Sequence, residues 1–451
     1  MRALLVLVAV LLCGPARADL FTAQLAYQKA DYEGAFKDYR ELAELGQPVA
    51  QYNLAIMYAK GQGVRQSELN AYAWASLAAE GDYGPARALA EKLRPELAPG
   101  SEKIAEDIRA PYARAALEAR IMPQMPGDEG GRDRCKLLKL SMPEYPPEAN
   151  RQGIQGQVYI EFAVMPDGSG RNPRILYSLP RDIFERAVRV SILHTRYEPA
   201  EAGAKAAHCE VMYRFVAQQQ RADEYPGLER LVADTRKKAE SGDTQAELLY
   251  GMLLAGLPQL QRKPVDALPW FLKAAQSGSR EAQYEIGNGL LNGWGCRCDE
   301  NKGLEWLRRA AAGDQPSAQV TLATYALRGT PGAANVKVAK LWLERAAARR
   351  DPDGMLYLAA LLAATPESEM RDPPRAQKLV EHIVRQMDDD PTPFEIRAAA
   401  QAASGAFQDA VSSERRAIAM ATKLKWDLTP LNERLARYEA GQPWYGNLLG
   451  F

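Results

Sequence analysis

Three tryptophans, Trp270, Trp306 and Trp342, stand 36 residues apart, and Ala246, Ala282 and Ala318 keep the same step, with Gly354 next in that series. A period of this length means one supersecondary unit repeated along the chain, each unable to bury its apolar face alone and each stacking on its neighbour. Every unit runs from a Gly-ending turn (Gly242, Gly278, Gly313) into a first helix such as 282–291, then through a loop into a second such as 302–312. Tyr284 and Ile286, or Tyr325 and Leu327, recur on the first helix. Ala310-Ala311 and Ala346-Ala347 recur on the second, where small residues let helices approach closely. The Trp, Tyr and Ala series reads as helix-packing core. The expected fold class is multi-domain: all-α superhelical (α/α solenoid) repeats flanking a small α+β domain.

The scheme returns near the N-terminus as Ala50-Gln-Tyr-Asn-Leu-Ala-Ile-Met-Tyr58, Gly61-Gln-Gly63-Val64, Ala71-Tyr-Ala-Trp74 and Ala78-Ala79-Glu-Gly81. It resembles the Sel-one-like repeat, a relative of the tetratricopeptide repeat with a period near 36 rather than 34. The match is strongest over 50–86 and 242–354. Leu257 to Pro269 carries an altered loop, and 355–441 drifts from the pattern as capping repeats do. The resemblance implies stacked helix pairs with a concave surface for a protein or peptide.

Between the two helical regions the punctuation changes. In Met142-Pro-Glu-Tyr-Pro-Pro-Glu-Ala the prolines hold the backbone extended and forbid a continuous helix before Glu148. Gly153 and Gly156 bracket a turn, and Gln157 to Val164 alternates, with Val158, Ile160, Phe162 and Val164 on one face and Gln157, Tyr159 and Glu161 on the other. That pattern predicts a half-buried strand. Asp167-Gly168 supplies a tight turn, and 174–178 returns as a second strand ending at Pro180. Asp182 is the expected cap of a helix whose Phe184, Ala187, Val188 and Ser191 share a face. Cys209, Val211, Tyr213 and Phe215 then alternate with Glu210, Met212 and Arg214 in a third strand.

In order and spacing, Tyr145-Pro146, Gly153-Ile-Gln-Gly156, Asp167-Gly168, Phe184-Glu-Arg-Ala and Arg196-Tyr-Glu-Pro199 resemble the C-terminal domain of TonB, the periplasmic transducer that energises outer-membrane receptors. The resemblance covers under a fifth of the chain. It implies a three-stranded antiparallel sheet whose free edge, Glu210 to Val216, takes an extended peptide by strand addition. Glu210, Met212, Arg214 and Val216 would read that peptide, the N-terminal box of an outer-membrane receptor, with Tyr145 and Pro146 bordering the groove. The alternative is that the strand after Cys135 covers the edge. A TonB-type transducer also resembles a membrane anchor plus a long Pro-rich spacer; neither is legible here, so direct energy transduction is not implied.

The remaining features bound compartment and chemistry. Arg2, the apolar run Leu4 to Leu12, the break at Gly14-Pro15 and Ala16-Arg17-Ala18 before Asp19 read as a cleaved secretory signal, too short for the roughly 20 apolar residues of a membrane span. Bulky Leu12 before Cys13 argues against lipidation. The expected location is the periplasm, without an integral membrane anchor. The expected organisation is signal 1–18, repeats 22–118, linker 119–134, TonB-like domain 135–219 and a second array 228–441. Basic and acidic residues number 57 each, and loss of Arg2 and Arg17 leaves a formal −2, so nothing points to nucleic acid.

Four cysteines remain. Cys135 and Cys209 flank the TonB-like core, and a disulfide between them would tie strand 136–140 to the last strand, worth ~4 kcal/mol in the chain-entropy model. Cys296 and Cys298, two apart in an interhelix loop, are expected to form a tight staple; two further zinc ligands are missing nearby. His194, His208 and His382 stand in no metal or nucleophile pattern, and Gly287-Asn-Gly289 and Gly293-Trp-Gly295 lack the Lys and Ser/Thr of a phosphate loop. With no catalytic constellation and no cofactor implied, the expectation is a non-enzymatic protein-binding protein linked to TonB-dependent transport. The alternative is a repeat scaffold or regulator of an envelope complex or cell-wall enzyme.

Overall fold

The computed structural model describes residues 20–81, 83–124, 135–199, 207–215, 228–256, 264–328 and 333–450. The signal segment with Cys13, part of the linker before Cys135, and Val216 lie outside the described residues. The chain divides into two compact units: residues up to Met122 together with Leu272–Ser279, and Pro123–Phe271 together with Arg280–Phe451.

The first unit is built on the helices Tyr32–Ala43, Pro48–Lys60 and Glu68–Glu80. Pro48 sits in the first turn, where its missing N–H is not needed, and the Gln47 side chain accepts the Ala50 N–H. Gly61, in the left-handed conformation (φ 65°), ends that helix. Tyr39, Leu42, Leu54, Trp74 and Leu77 fill the space between the helices, together with the buried Ala35, Ala50 and Ala71.

In the second unit, helix pairs run Arg280–Asn292 with Glu300–Ala312, Pro316–Arg328 with Ala333–Ala348, Pro352–Ala364 with Pro373–Val384, and Thr392–Ala403 with Phe407–Lys423; Thr429–Glu439 closes the series. Asp299 caps the Glu300–Ala312 helix and Asp351 the Pro352–Ala364 helix, each accepting a backbone N–H, of Lys302 and Gly354 respectively. In the first pair a Cβ on Gly287 would lie 3.1 Å from the Gly303 carbonyl oxygen, and one on Gly303 would lie 3.0 Å from that of Gly287, so the two helices meet backbone to backbone. Trp306 is fully buried and Trp342 partly so, which makes both core residues. The helix-pair fold continues through Glu439, well beyond the last residue that keeps the 36-residue pattern.

Embedded between these helices is a small α+β element with strands β1 (Leu137–Lys139), β2 (Gly156–Val164), β3 (Gly170–Leu179), β4 (Arg196–Tyr197) and β5 (Ala207–Phe215). Its three-stranded antiparallel sheet has the order β3-β2-β5, while β1 and β4 form a separate antiparallel pair. Gly168 (φ 75°) turns the β2–β3 hairpin. One face of the sheet, with Val158, Ile160, Phe162, Tyr213 and Phe215, packs on Phe184, Val188 and Ile192 of the Phe184–His194 segment.

Three expectations are corrected. The second strand starts at Gly170 rather than Arg174, because the hairpin stays paired down to the turn. Asp182 does not cap the helix, which runs Glu185–His194: Asp182 is left-handed (φ 63°), and its N–H donates to Glu185 Oε1 at 2.7 Å. β2 is buried on both faces rather than one, and Gln157, on its polar side, is only 1% exposed.

Candidate functional site

β5 is, with β3, one of the two outer strands of the sheet. Its register on β2, Val158 opposite Tyr213 and Tyr159 opposite Met212, puts Cys209, Tyr213 and Phe215 into the core and Glu210, Met212 and Arg214 on the other face. Among the described residues β5 pairs with β2 alone. Cys135 and Cys209 form a disulfide with their Cα atoms 6.0 Å apart, so the chain before β1 is fastened beside the start of β5. The strand that follows turns away: Leu137 stands opposite Tyr197 of β4, and β1 does not cover the β5 edge.

The residues expected to read a peptide occupy different environments. Arg214 is exposed. The Glu210 carboxylate accepts the Tyr159 hydroxyl on one oxygen and Asn292 Nδ2 on the other. Met212 faces inward and lines a cavity. Tyr145 closes the far end of the core, its ring edge-on to Phe184 and Phe215 at 5.6 and 5.5 Å and its hydroxyl donating to the Ile154 carbonyl at 2.5 Å. It abuts the last residue of β5 as a packing group, and Pro146 starts the short helix Pro147–Arg151. Val216 is outside the described residues.

The second face of the sheet rests on the repeat helices of the same unit. Leu176 packs with Tyr284, Leu304, Leu307 and Leu322, and Leu193 joins the core of the Pro352–Ala364 helix. Glu161 accepts from Arg174 and, at 2.7 Å, from Arg328; Arg174 also donates to Thr321 Oγ1 at 3.0 Å. At these helices the repeats are therefore covered by the chain's own sheet. The C-terminal segment adds a tie, Asn172 Nδ2 donating to the Leu449 carbonyl at 2.6 Å and the Gly446 N–H to the Ala364 carbonyl at 2.7 Å.

A cavity lies in this junction. Gln157 and Tyr159 of β2, Met212 of β5, Met252, Ala255, Phe271, Trp294, and Glu285, Asn288 and Gly289 of the Arg280–Asn292 helix line it. Burial, then the Glu210 charge, pushes the Glu285 carboxyl up to about 8; the Tyr159 hydroxyl is raised by the same two causes. Sequence reasoning did not single out Gln157, Glu285 or Trp294. The available signal was that Glu285 lies between Tyr284 and Ile286, both core positions, on a helix whose Gly287 and Gly289 allow burial nearly all round.

This has a pH consequence. Glu285 in the folded protein binds its proton more tightly than in the unfolded chain, where the carboxyl titrates near 4.5. Stability is therefore full below that value and falls as pH rises toward about 8. With Glu210 and Tyr159 as the facing groups, the loss between pH 5 and pH 7.5 should be about 2–3 kcal/mol. Urea unfolding at both pH values checks it: Glu285→Gln should flatten the difference, and an equal slope in both proteins would refute the assignment.

Cys296 is buried and Cys298 exposed, both as free thiols, which corrects the expected staple. Cys298 Sγ points to the Leu291 carbonyl at 3.1 Å, while burial, then Cys298, pushes the Cys296 thiol up to about 12 and leaves it unreactive. Among the described residues no group of three or more His, Cys, Asp or Glu could hold a metal ion, and no helix is long and apolar enough to cross a membrane.

Comparison with known proteins agrees with this architecture. The profile of the Gram-negative bacterial TonB protein C-terminal family matches residues 141–217, and that of the Sel1 repeat matches 48–83, 244–279, 280–314 and 316–351. Protein TonB of Escherichia coli (strain K12) is 39% identical over 69 residues, 15% of this chain and 29% of that protein. Protein TonB of Pseudomonas aeruginosa is 33% identical over 88 residues, 19% of this chain and 26% of that protein. The chain thus spans less than a third of these curated relatives. A Sel1 repeat protein from Oxalobacter formigenes matches at 16% identity and TM-score 0.32, over 81% of this chain and 99% of that one. Residues 141–217 are a TonB C-terminal domain set among Sel1 repeats, a combination that supports a protein-interaction role.

Proposed function

We propose that this is a non-enzymatic protein of the periplasm that captures an extended segment of another protein on the outer edge of β5. An outer-membrane receptor's N-terminal box is the first candidate, and the role is linked to TonB-dependent transport. The observation that carries the reading is that, among the described residues, β5 pairs with β2 alone, with β1 diverted to β4 beside the disulfide that anchors it. Backbone groups along such an edge supply affinity for any extended chain, and alternate side chains supply selectivity. The repeats hold the edge in one orientation through the Arg174–Glu161–Arg328 cluster.

Deleting the TonB-like domain would expose Leu176 and Leu193 partners on the repeats, so a point probe is the better test. A photo-crosslinker at exposed Arg214 should yield adducts with outer-membrane proteins, mapped to their N-terminal segments, whereas the same probe at exposed Lys378 on the Pro373–Val384 helix should not. No adduct at Arg214, or the same soluble partner from both sites, would replace this reading with that of a repeat scaffold or regulator without a transport role.

A further inference from the structure

Around β1 the chain displays an apolar ridge that the β5 edge does not use. Leu137 is 50% exposed, Leu138 62%, Leu140 43% and Met142 71%. Among the described residues no other stretch of six exposes more than two large apolar side chains. A cluster of this kind on a protein surface marks an interaction site. Its backbone is held out at both ends, so the side chains cannot fold inward. The Cys135–Cys209 disulfide and the Glu198 N–H, which donates to the Lys136 carbonyl at 2.8 Å, fix the near end. At the far end the Ser141 N–H donates to Thr195 Oγ1 at 3.2 Å, and Ser191 Oγ donates to the Ser141 carbonyl at 2.5 Å. Between them, among the described residues, β1 pairs with the two-residue β4 alone.

Shape and charge select the partner. Leu137 and Leu138 are adjacent on a strand and so point to opposite faces, yet both are exposed. A flat protein surface docked on one face would leave the other wet, and a second copy of β1 added along the free edge would leave both wet. An apolar medium that closes round the ridge from every side covers them together. Cations stand at its base. Lys139 lies opposite Arg196 in the β1–β4 pair, and Arg196 Nη2 donates to the Leu424 carbonyl, which sets Lys423 and Lys425 near β4. Of the acids here, Glu198 is matched by Lys136 at 3.5 Å and Asp167 is faced by Arg171. Lys139, Lys423 and Lys425 are exposed and form no ion pair among the described residues; they outweigh Glu144 and Asp427 and leave the rim cationic.

We propose that residues 137–142 are a membrane-docking ridge, which seats its four apolar side chains at the surface of an anionic phospholipid bilayer with Lys139 and Lys425 at the headgroup phosphates. Among the described residues no helix is long and apolar enough to span a membrane, and the ridge gives the chain a reversible hold on one instead. Basic and acidic residues balance at 57 each over the whole chain, so the attraction is local to this rim and no net charge announces it. The ridge does not rest on the β5 edge reading, since it uses neither β5 nor strand addition.

Vesicle co-sedimentation tests it, with the chain begun at Asp19 so that the apolar run Leu4 to Leu12 cannot itself seek lipid. Vesicles of phosphatidylethanolamine with about a quarter phosphatidylglycerol should bind roughly tenfold more tightly than vesicles of phosphatidylcholine alone. Leu138→Ser with Leu140→Ser should weaken that binding about tenfold or more. Lys139→Gln with Lys425→Gln should weaken it roughly fivefold or more and flatten its salt dependence. Val338→Ser with Leu341→Ser, an exposed apolar pair on the Ala333–Ala348 helix, should change nothing. Leu138→Trp supplies a gain of signal that loss of fold cannot mimic: on anionic vesicles its fluorescence should shift to the blue and be quenched by lipids brominated on their acyl chains, beyond the wild-type background. Absence of vesicle binding, equal affinity for phosphatidylcholine, unchanged binding in the double leucine variant, or no quenching in Leu138→Trp overturns the proposal. A dimer in sedimentation equilibrium that the double leucine variant dissolves, without vesicle binding, overturns it and gives the ridge to a second copy of the chain.

Discussion

Replacing Arg434 with methionine should destabilise the C-terminal helices by about 3–5 kcal/mol near pH 8, the cost of leaving buried charges without their counter-ion. Arg434 lies on the Thr429–Glu439 helix, its side chain 5% exposed, between Glu395 at 4% and Glu414 at 0%. Its Nε donates to Glu414 Oε1 at 3.0 Å, and its Nη2 donates to Glu395. Burial raises the Glu414 carboxyl to about 8, and Arg434 is the group that opposes that rise. Without it, two carboxyl groups share a dry site, and protonation is their way out. The penalty should therefore shrink on acidification to pH 5, the opposite of the usual loss of a salt bridge in acid. Replacing all three residues by apolar ones of similar volume should recover most of the stability. Chemical denaturation at pH 5 and pH 8 gives both comparisons, and a pH-independent penalty would show that the carboxyl groups relax to water.

Arg174→Met should cost about 3–4 kcal/mol, and its effect should be confined to one boundary. The Arg174 side chain, 4% exposed, leaves β3 to meet Glu161, Thr321 Oγ1 and the Ser317 carbonyl, while Arg328 holds the other oxygen of Glu161. Its loss takes one cation from Glu161, whose side chain is 12% exposed, and removes the donor to Thr321 Oγ1, which keeps its own bond to the Ser317 carbonyl. Amide hydrogen exchange should accelerate in β2, β3 and the Pro316–Arg328 helix while the Thr392–Glu439 region keeps its protection. Acceleration throughout the second unit would mean that the sheet and the repeats open as one body.

The contrast between these residues explains what could be read from the sequence. The period of Trp270, Trp306 and Trp342 shows helix pairs because it reflects contacts between neighbours in the chain, and the alternation in β2 and β5 shows strands for the same reason. Gln157, Tyr159 and Glu161 alternate with the core positions as a solvent face would, yet Gln157 is buried and Tyr159 and Glu161 are met by Trp294 and Arg328, more than a hundred residues away. A local pattern holds no trace of such partners, so a doubly buried strand looks half-buried. The helices from Pro352 to Glu439 were harder to see for the opposite reason: their core is a nearly continuous apolar run, as in Met355 to Ala364, which carries no 36-residue mark. Of the expected edge residues that are described on β5, only Arg214 is exposed, because side-chain direction was legible and the neighbour above that face was not.

The diversion of β1 to β4 also has a mechanical side. The disulfide fixes the chain to the first residues of β5, the hydrogen bonds to β2 run its whole length, and β3 is pinned to the helices through Arg174. A tug along β5 therefore loads a row of backbone bonds in shear, all at once, rather than peeling them one by one. Its path continues through the sheet into the helix stack, so the embedded domain behaves as a handle set into a stiff frame.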